Sequence, residues 1–294
     1  MTRVAVVDMG TNSTRLLLAD VADGTVTALE RRSTVTRLGE GLEATGSLGE
    51  EPRARVLRAL ADYREAMDAL DARVRTGVLT SAVRDAVNGA AFHARVRSEY
   101  GIDAEIVSGD EEARLTFLGA TLTRATDQRV LVVDIGGGST ELVVGSSGVV
   151  EFHVSTQVGV VRHTERHGDD LAAIARDAGA TLREALPDHP PTRVVAVAGT
   201  ATMAASMDLA LEPYDPDAVE GHTLSLDGLR TRLDQLASMP PDRRREVPGL
   251  HPDRAPTIVA GITILIEILE AAGADTVEVS DRDLLYGRAF EAGS

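Results

Sequence analysis

Asp8, Gly10, Thr11, Asn12, Ser13 and Arg15 close an apolar run, and Asp134, Gly136, Gly137, Gly138, Ser139, Thr140 and Glu141 close a second one 126 positions further on. Glycine reaches backbone conformations that a Cβ forbids. Its bare N–H groups, joined by Ser and Thr hydroxyls, make a nest for an anion. An aspartate at the head of such a turn is placed to meet a cation. The residue types therefore point to phosphate chemistry assisted by a hard metal ion.

The two runs align without a gap, Val4 to Leu16 against Val130 to Leu142, with identities at Val4, Val6, Val7, Asp8, Gly10, Ser13, Thr14 and Leu16. The period is too long for a solenoid. It reads as two copies of one unit, each at the head of a domain: a buried strand, an acid, a Gly-rich turn and a second apolar strand. One copy alone reads equally as a plain hairpin with a glycine turn. Two copies with Asp, Ser and Thr in step favour the phosphate reading.

Four further segments carry chemistry-bearing side chains. Thr80-Ser81-Ala82-Val83-Arg84-Asp85 follows an apolar run that ends at Leu79. A helix starting there aims N–H groups and the Arg84 fork at an anion; the alternative is a simple Ser81 N-cap with Arg84 on the surface. Ser108 and Glu111 fit a capping box in which Glu111 bonds back to the Ser108 backbone. Glu112 is then a second carboxylate in the first turn, either a general base or a charge drawn to the helix dipole. Val197 to Thr202 and Val279 to Gly287 are strand–turn–helix junctions, readable as ligand loops or as tight, capped turns.

Composition excludes several classes. The chain has no Cys, so disulfides, thiol catalysis and Cys zinc sites are ruled out. All 30 basic side chains are Arg, which removes a Walker A lysine and a lysine Schiff base. A net charge of −16 and the absence of Trp argue against nucleic acid and anionic membranes as partners. The seven histidines show no H-E-x-x-H, although His163 and His167 are four apart, and no G-x-S-x-G elbow occurs. The longest apolar stretch, Ala255 to Ile266, is too short to span a bilayer. A soluble, cytoplasmic protein is expected.

The elements that must position these residues alternate in type. Apolar spacing predicts helices over Glu50 to Leu70, Ala90 to Tyr100 and Asp110 to Thr121, two within 157–185, and two over Leu226 to Met239 and Ala255 to Ala272. Strands are expected at Val74 to Leu79, Ala104 to Val107, 130–134, 140–145, 149–155, Arg193 to Ala198 and Val277 to Ser280. Segments 187–192 and 212–222 read as loops, and 122–129 as the join between domains. The class is α/β with mixed sheets.

Taken in order, the segments at Val6 to Leu16, Thr80 to Ala86, Ser108 to Arg114 and Asp134 to Glu141 resemble the motifs of the exopolyphosphatase/guanosine-pentaphosphate phosphatase family, in its short two-domain form. The resemblance covers essentially the whole chain. It implies two ribonuclease-H-like domains, 1–124 and 125–294, of the acetate and sugar kinase/Hsp70/actin superfamily around a central cleft. It implies Mg²⁺-dependent hydrolysis of terminal phosphoanhydride bonds, with Mn²⁺ as a substitute. Inorganic polyphosphate is the expected substrate; guanosine pentaphosphate hydrolysis, a small-molecule kinase of the superfamily and a non-catalytic sensor of guanosine alarmones or polyphosphate are the rivals. By resemblance Glu112 is the catalytic glutamate, and Asp134 and Glu141, with Asp8 as a third acid, are metal-linked. Gly10, Thr11, Asn12, Ser13, Arg15, Arg84, Gly136, Gly137, Gly138, Ser139 and Thr140 are the phosphate contacts. The chain lacks room for the long members' C-terminal helical domain, which favours short polyphosphates. The tail at Ser280 to Gly287 departs from the Gly-Leu-Arg-Glu-Gly-like run of the long members. A homodimer is compatible with all of this.

Overall fold

The computed structural model describes residues 1–124 and 127–294. Its contacts divide the chain into two units, Met1–Leu122 with Leu284–Ser294, and Thr123–Asp283. The expected join at 122–129 contains Ala125 and Thr126, which lie outside the described residues.

The first unit is built on five strands, β1 (Thr2–Met9), β2 (Ser13–Ala22), β3 (Thr25–Val35), β4 (Val74–Leu79) and β5 (Asp103–Ile106), in the order β3-β2-β1-β4-β5. β1, β2 and β3 form an antiparallel meander, while β4 and β5 continue the sheet parallel to β1. The helices are α1 (Leu42–Thr45), α2 (Glu50–Ala69), α3 (Ser81–Asp85), α4 (Gly89–Tyr100) and α5 (Gly109–Thr121). β1 reads as an unbroken apolar run because both of its faces are covered. Ala5, Val7 and Met9 pack with Val56, Leu60 and Phe92 from α2 and α4. Val4 and Val6 pack on the other side with Leu115 of α5 and with Leu284, Leu285 and Ala289.

The second unit repeats this order. Its strands are β6 (Val130–Ile135), β7 (Thr140–Ser146), β8 (Val149–Thr156), β9 (Val194–Val197), β10 (Thr223–Ser225) and β11 (Thr276–Val279), arranged β10-β11-β9-β6-β7-β8. β6, β7 and β8 form the meander, and β9 and β11 lie parallel to β6. The duplication therefore extends from the hairpin to the whole sheet, with β10 added at one edge. Each unit is a ribonuclease-H-like α/β domain. The helices here are α6 (Val160–His167), α7 (Leu171–Ala185), α8 (Ala198–Asp208), α9 (Pro216–Val219), α10 (Leu226–Ala237), α11 (Pro241–Arg244) and α12 (Ile258–Ala272). α12 is apolar almost all round because it is buried almost all round, in one core with α7, α8 and α10.

Four features depart from the sequence reading. β3 was not expected, since its residues are mostly exposed and polar; the free edge of β2 supplies its ladder. α8 begins at Ala198, one residue earlier than a strand reaching Ala198 allows. Segment 212–222 is not all loop: Asp215 caps α9 by accepting from the N–H of Asp217 and Ala218, with Pro216 in the first turn. Finally, α13 (Leu284–Gly293) belongs to the first unit, whereas the expected second domain ran to 294. Its apolar face shares a core with Leu115, and Glu291 pairs with Arg114 at 2.6 Å. Among the described residues no helix is long and apolar enough to cross a membrane.

Candidate active site

In open α/β sheets ligands meet the carboxyl ends of the parallel strands. Every segment singled out above lies at such an end. β1 ends at Asp8 and Met9, β4 leads into Thr80, β5 into Ser108, β6 into Gly136, β9 into Gly199 and β11 into Ser280.

The second hairpin places Asp134 opposite Glu141 and Ile135 opposite Thr140 in the β6–β7 ladder. The turn is closed by Gly136 N–H donating to the Ser139 carbonyl at 2.9 Å. The first hairpin has the same closure, Gly10 N–H to the Ser13 carbonyl at 3.0 Å, and the same register, Asp8 opposite Arg15. Directly opposed residues point to one face with Cβ atoms about 5 Å apart. Asp134 and Glu141 are 8% and 1% exposed, and Ser155 Oγ donates to Glu141 Oε1 at 2.8 Å. Thr140 is a neighbour of the turn whose hydroxyl is spent on the Val158 carbonyl at 2.6 Å, so it braces the loop from behind.

The glycine turn is gripped by the start of α6. Val160 N–H donates to the Gly136 carbonyl at 3.0 Å, Val161 N–H to Gly137 at 2.9 Å, and Arg162 Nε to Gly138 at 3.1 Å. Gly159 makes this approach feasible: a Cβ there would press on the Gly138 backbone and come within 2.5 Å of the Gly137 carbonyl. In a trans peptide the N–H points opposite to the carbonyl before it. With the carbonyls of Gly136, Gly137 and Gly138 turned into α6, the N–H groups of Gly137, Gly138 and Ser139 face away from it, which is the geometry of an anion nest. In the first hairpin the carbonyls of Thr11 and Asn12 are held the same way, by the N–H groups of Gly39, Thr36 and Arg37.

His163 sits one turn into α6, buried, with Nδ1 3.0 Å from the Gly159 carbonyl oxygen. Burial pushes its imidazole below the ordinary histidine value. Asp177 lies 3.7 Å from its Nε2 and takes a 2.9 Å bond from His167, which holds the Asp177 carboxyl low. His163 and His167, four apart in the sequence without a zinc motif, thus both face Asp177. Among the described residues no group of three or more His, Asp or Glu is arranged to hold a metal. The Asp134–Glu141 pair remains a suitable donor set for Mg²⁺, which commonly takes one or two carboxylates and completes its shell with water and substrate phosphate.

In the first unit, Ser108 Oγ accepts from Glu111 N–H at 3.2 Å, as a capping box requires. The other half of the box differs from expectation. The Glu111 carboxylate turns to Arg114, receiving Nε at 2.9 Å and Nη2 at 2.8 Å, and Arg114 holds its carboxyl below the usual range. Glu112 points inward, 8% exposed, and accepts from Arg84 Nη1 at 3.2 Å. The same Nη1 donates to the Val107 carbonyl at 3.0 Å. Arg84 is therefore attached to the glutamate that it was expected only to accompany. Ser81 is not the N-cap of α3; that position is Thr80. Ser81 Oγ instead meets Thr11 Oγ1 at 2.8 Å, tying α3 to the first glycine turn. Arg15 donates Nε and Nη2 to Asp8 Oδ2 at 2.9 and 2.6 Å.

Two arginines escaped the sequence reading. Arg162 was one of many, with no motif around it. Arg254 lies so close to Gly199 that a Cβ there would come 2.7 Å from its Cζ. The neighbouring Ala198 holds φ at 62°, a left-handed conformation that costs a non-glycine residue about 1 kcal/mol or more.

Duplicated ribonuclease-H-like units, each with a glycine-containing turn at the end of its central strand, and a buried glutamate held by arginine in the first of them, define a class of proteins that act on phosphate groups. Comparison with known proteins gives the family. The model of the Ppx/GppA phosphatase family matches residues 17–290, and the chain belongs to that family. It is 36% identical to exopolyphosphatase 2 of Mycobacterium tuberculosis over 99% of this chain and 98% of the relative. A crystal structure of the Aquifex aeolicus Ppx/GppA family member matches with a TM-score of 0.84 at 29% identity, covering 99% of this chain and 97% of the other. That of an exopolyphosphatase from Cytophaga hutchinsonii matches with a TM-score of 0.89 at 26% identity, covering 100% of both.

Proposed function

We propose that this chain is an exopolyphosphatase, hydrolysing the terminal phosphoanhydride bond of inorganic polyphosphate, short chains above all, and releasing orthophosphate. The observation that carries the reading is the buried Glu112 carboxylate fixed by Arg84 in a unit that also carries a glycine nest. The end-to-end similarity to exopolyphosphatase 2 supports the substrate class.

Phosphoryl transfer asks mainly for positioning and charge stabilisation. A water attacks the terminal phosphorus in line with the bridging oxygen. Glu112 accepts the proton that the water loses, the new P–O bond forms, and the shortened chain leaves with the electrons of the broken bond. Arg84 holds the Glu112 carboxylate in one rotamer. The N–H groups of Gly137, Gly138 and Ser139 hold phosphate oxygens, as does that of Asn12. Mg²⁺, or Mn²⁺ in its place, held by Asp134 and Glu141, supplies neutralisation of phosphate charge when bound. A cytoplasmic location suits a chain without cysteine, which gains nothing from an oxidising compartment.

The test is orthophosphate release from polyphosphates of defined length, set beside guanosine pentaphosphate at equal concentration with Mg²⁺. Fastest turnover on short polyphosphate is expected. Preference for guanosine pentaphosphate would overturn the substrate, and no release from either would overturn the reaction.

A further inference from the structure

The two hairpins match in sequence, register and turn closure, and they differ in charge at one place. Asp8 and Asp134 occupy the same position; their ladder partners are Arg15 and Glu141. In the second hairpin two carboxylates face each other across the strands. In the first, the partner is a guanidinium whose Nε and Nη2 both donate to Asp8 Oδ2. Asp8 is 4% exposed and the Arg15 side chain 20%, so the carboxylate lies away from bulk water, where a charge needs a partner of opposite sign.

We propose that Arg15 is the built-in cation of the first hairpin: it balances Asp8 as a divalent ion balances Asp134 and Glu141, so that Asp8 is a positioning residue for Arg15 and not a metal ligand. The inference rests on the proposed function and deepens it. A guanidinium beside Asp8 repels a divalent ion from that site by its charge. It also gives the first glycine turn a fixed, planar donor for a phosphate oxygen, next to Thr11 and Asn12. Duplication thus produced one hairpin that needs a metal and one that carries its cation covalently. One divalent ion per chain follows.

Mn²⁺ binding to the full chain, followed by electron paramagnetic resonance without substrate, tests this. The wild type takes up about one equivalent, as one carboxylate pair allows. Asp8→Asn keeps that equivalent at unchanged affinity, while its KM for polyphosphate rises about tenfold as Arg15 loses its anchor. Arg15→Glu, which gives the first hairpin the acidic pair of the second, gains a second equivalent. Weakening of Mn²⁺ binding by about tenfold or more in Asp8→Asn would make Asp8 a ligand and overturn the proposal. Arg15→Glu remaining at the wild-type stoichiometry would overturn it as well; if that variant does not fold, Asp8→Asn decides. Asp134→Asn separates the two readings. Mn²⁺ binding that survives it unchanged refutes the placement of the metal in the second hairpin, which is a failure of the proposed function.

Discussion

Arg84 Nη1 reaches Glu112 Oε2 at 3.2 Å while anchored on the Val107 carbonyl at 3.0 Å. The bond joins the segment after β4 to the helix after β5, and it makes the position of the glutamate depend on the arginine. An arginine that touched only substrate would govern binding. One that also holds the proposed general base is expected to govern turnover.

Arg84→Ala is therefore expected to lower kcat and raise KM together, with kcat/KM falling roughly 10- to 100-fold, the worth of a charged hydrogen bond. Arg84→Lys is expected to recover part of the loss, since an ammonium lacks the planar fork. Steady-state kinetics on a short polyphosphate check both. A change in KM alone would mean that the contact with Glu112 does not matter for chemistry.

Activity is expected to require Mg²⁺ or Mn²⁺, to vanish in EDTA and to return on adding the metal. The reason is the pair of hard oxygen donors at Asp134 and Glu141, opposed in the ladder. Full turnover in chelator would remove the metal from the mechanism.

His163 gives a pH dependence to stability. Burial lowers its folded-state value below that of the unfolded chain, about 6.5. The unfolded state then binds more protons than the folded one below about pH 6.5, so stability falls as pH drops through that window. Above it the group contributes no slope. Urea midpoints measured on either side of the window are expected to show the loss, and His163→Asn, which keeps a donor near the Gly159 carbonyl, is expected to flatten it.

Gly159→Ala is expected to cost about 1–3 kcal/mol, the usual range for overpacking a tight contact. The added Cβ meets the backbone of Gly137 and Gly138, not a movable side chain. Because that backbone is the proposed phosphate nest, KM for polyphosphate is expected to rise along with the loss of thermal stability. A stable variant with unchanged KM would show that α6 does not set the loop.

The hairpins were legible because their chemistry is local: strand, acid, turn and second strand occupy contiguous residues, and the repeat doubles the signal. Within its own helical turn Glu112 read either as a general base or as a charge drawn to the helix dipole, and its catalytic reading came from the family resemblance; the fate of Glu111 was not legible at all. Its carboxylate chose Arg114, and Arg114 also answers Glu291 at the far end of the chain, a contact that no local pattern reveals. Ser81 with Thr11, Arg162 with Gly138, and Arg254 against Gly199 are likewise tertiary matches. β3 was missed because a strand exposed on most of its length lacks the apolar alternation that marks one. The return of α13 to the first unit follows from an apolar face that fits Leu115, information held by the fold and not by the segment.

Turnover of Glu112→Gln beside Glu111→Gln on a short polyphosphate, with substrate binding measured in parallel, tests the central claim most directly. The account predicts that Glu112→Gln lowers kcat by roughly 10²–10⁴, the usual range for a general base, while binding persists. Glu111→Gln, which loses only its pairing with Arg114, stays near the wild type. A nearly silent Glu112→Gln, or a crippled Glu111→Gln in its place, would contradict the account.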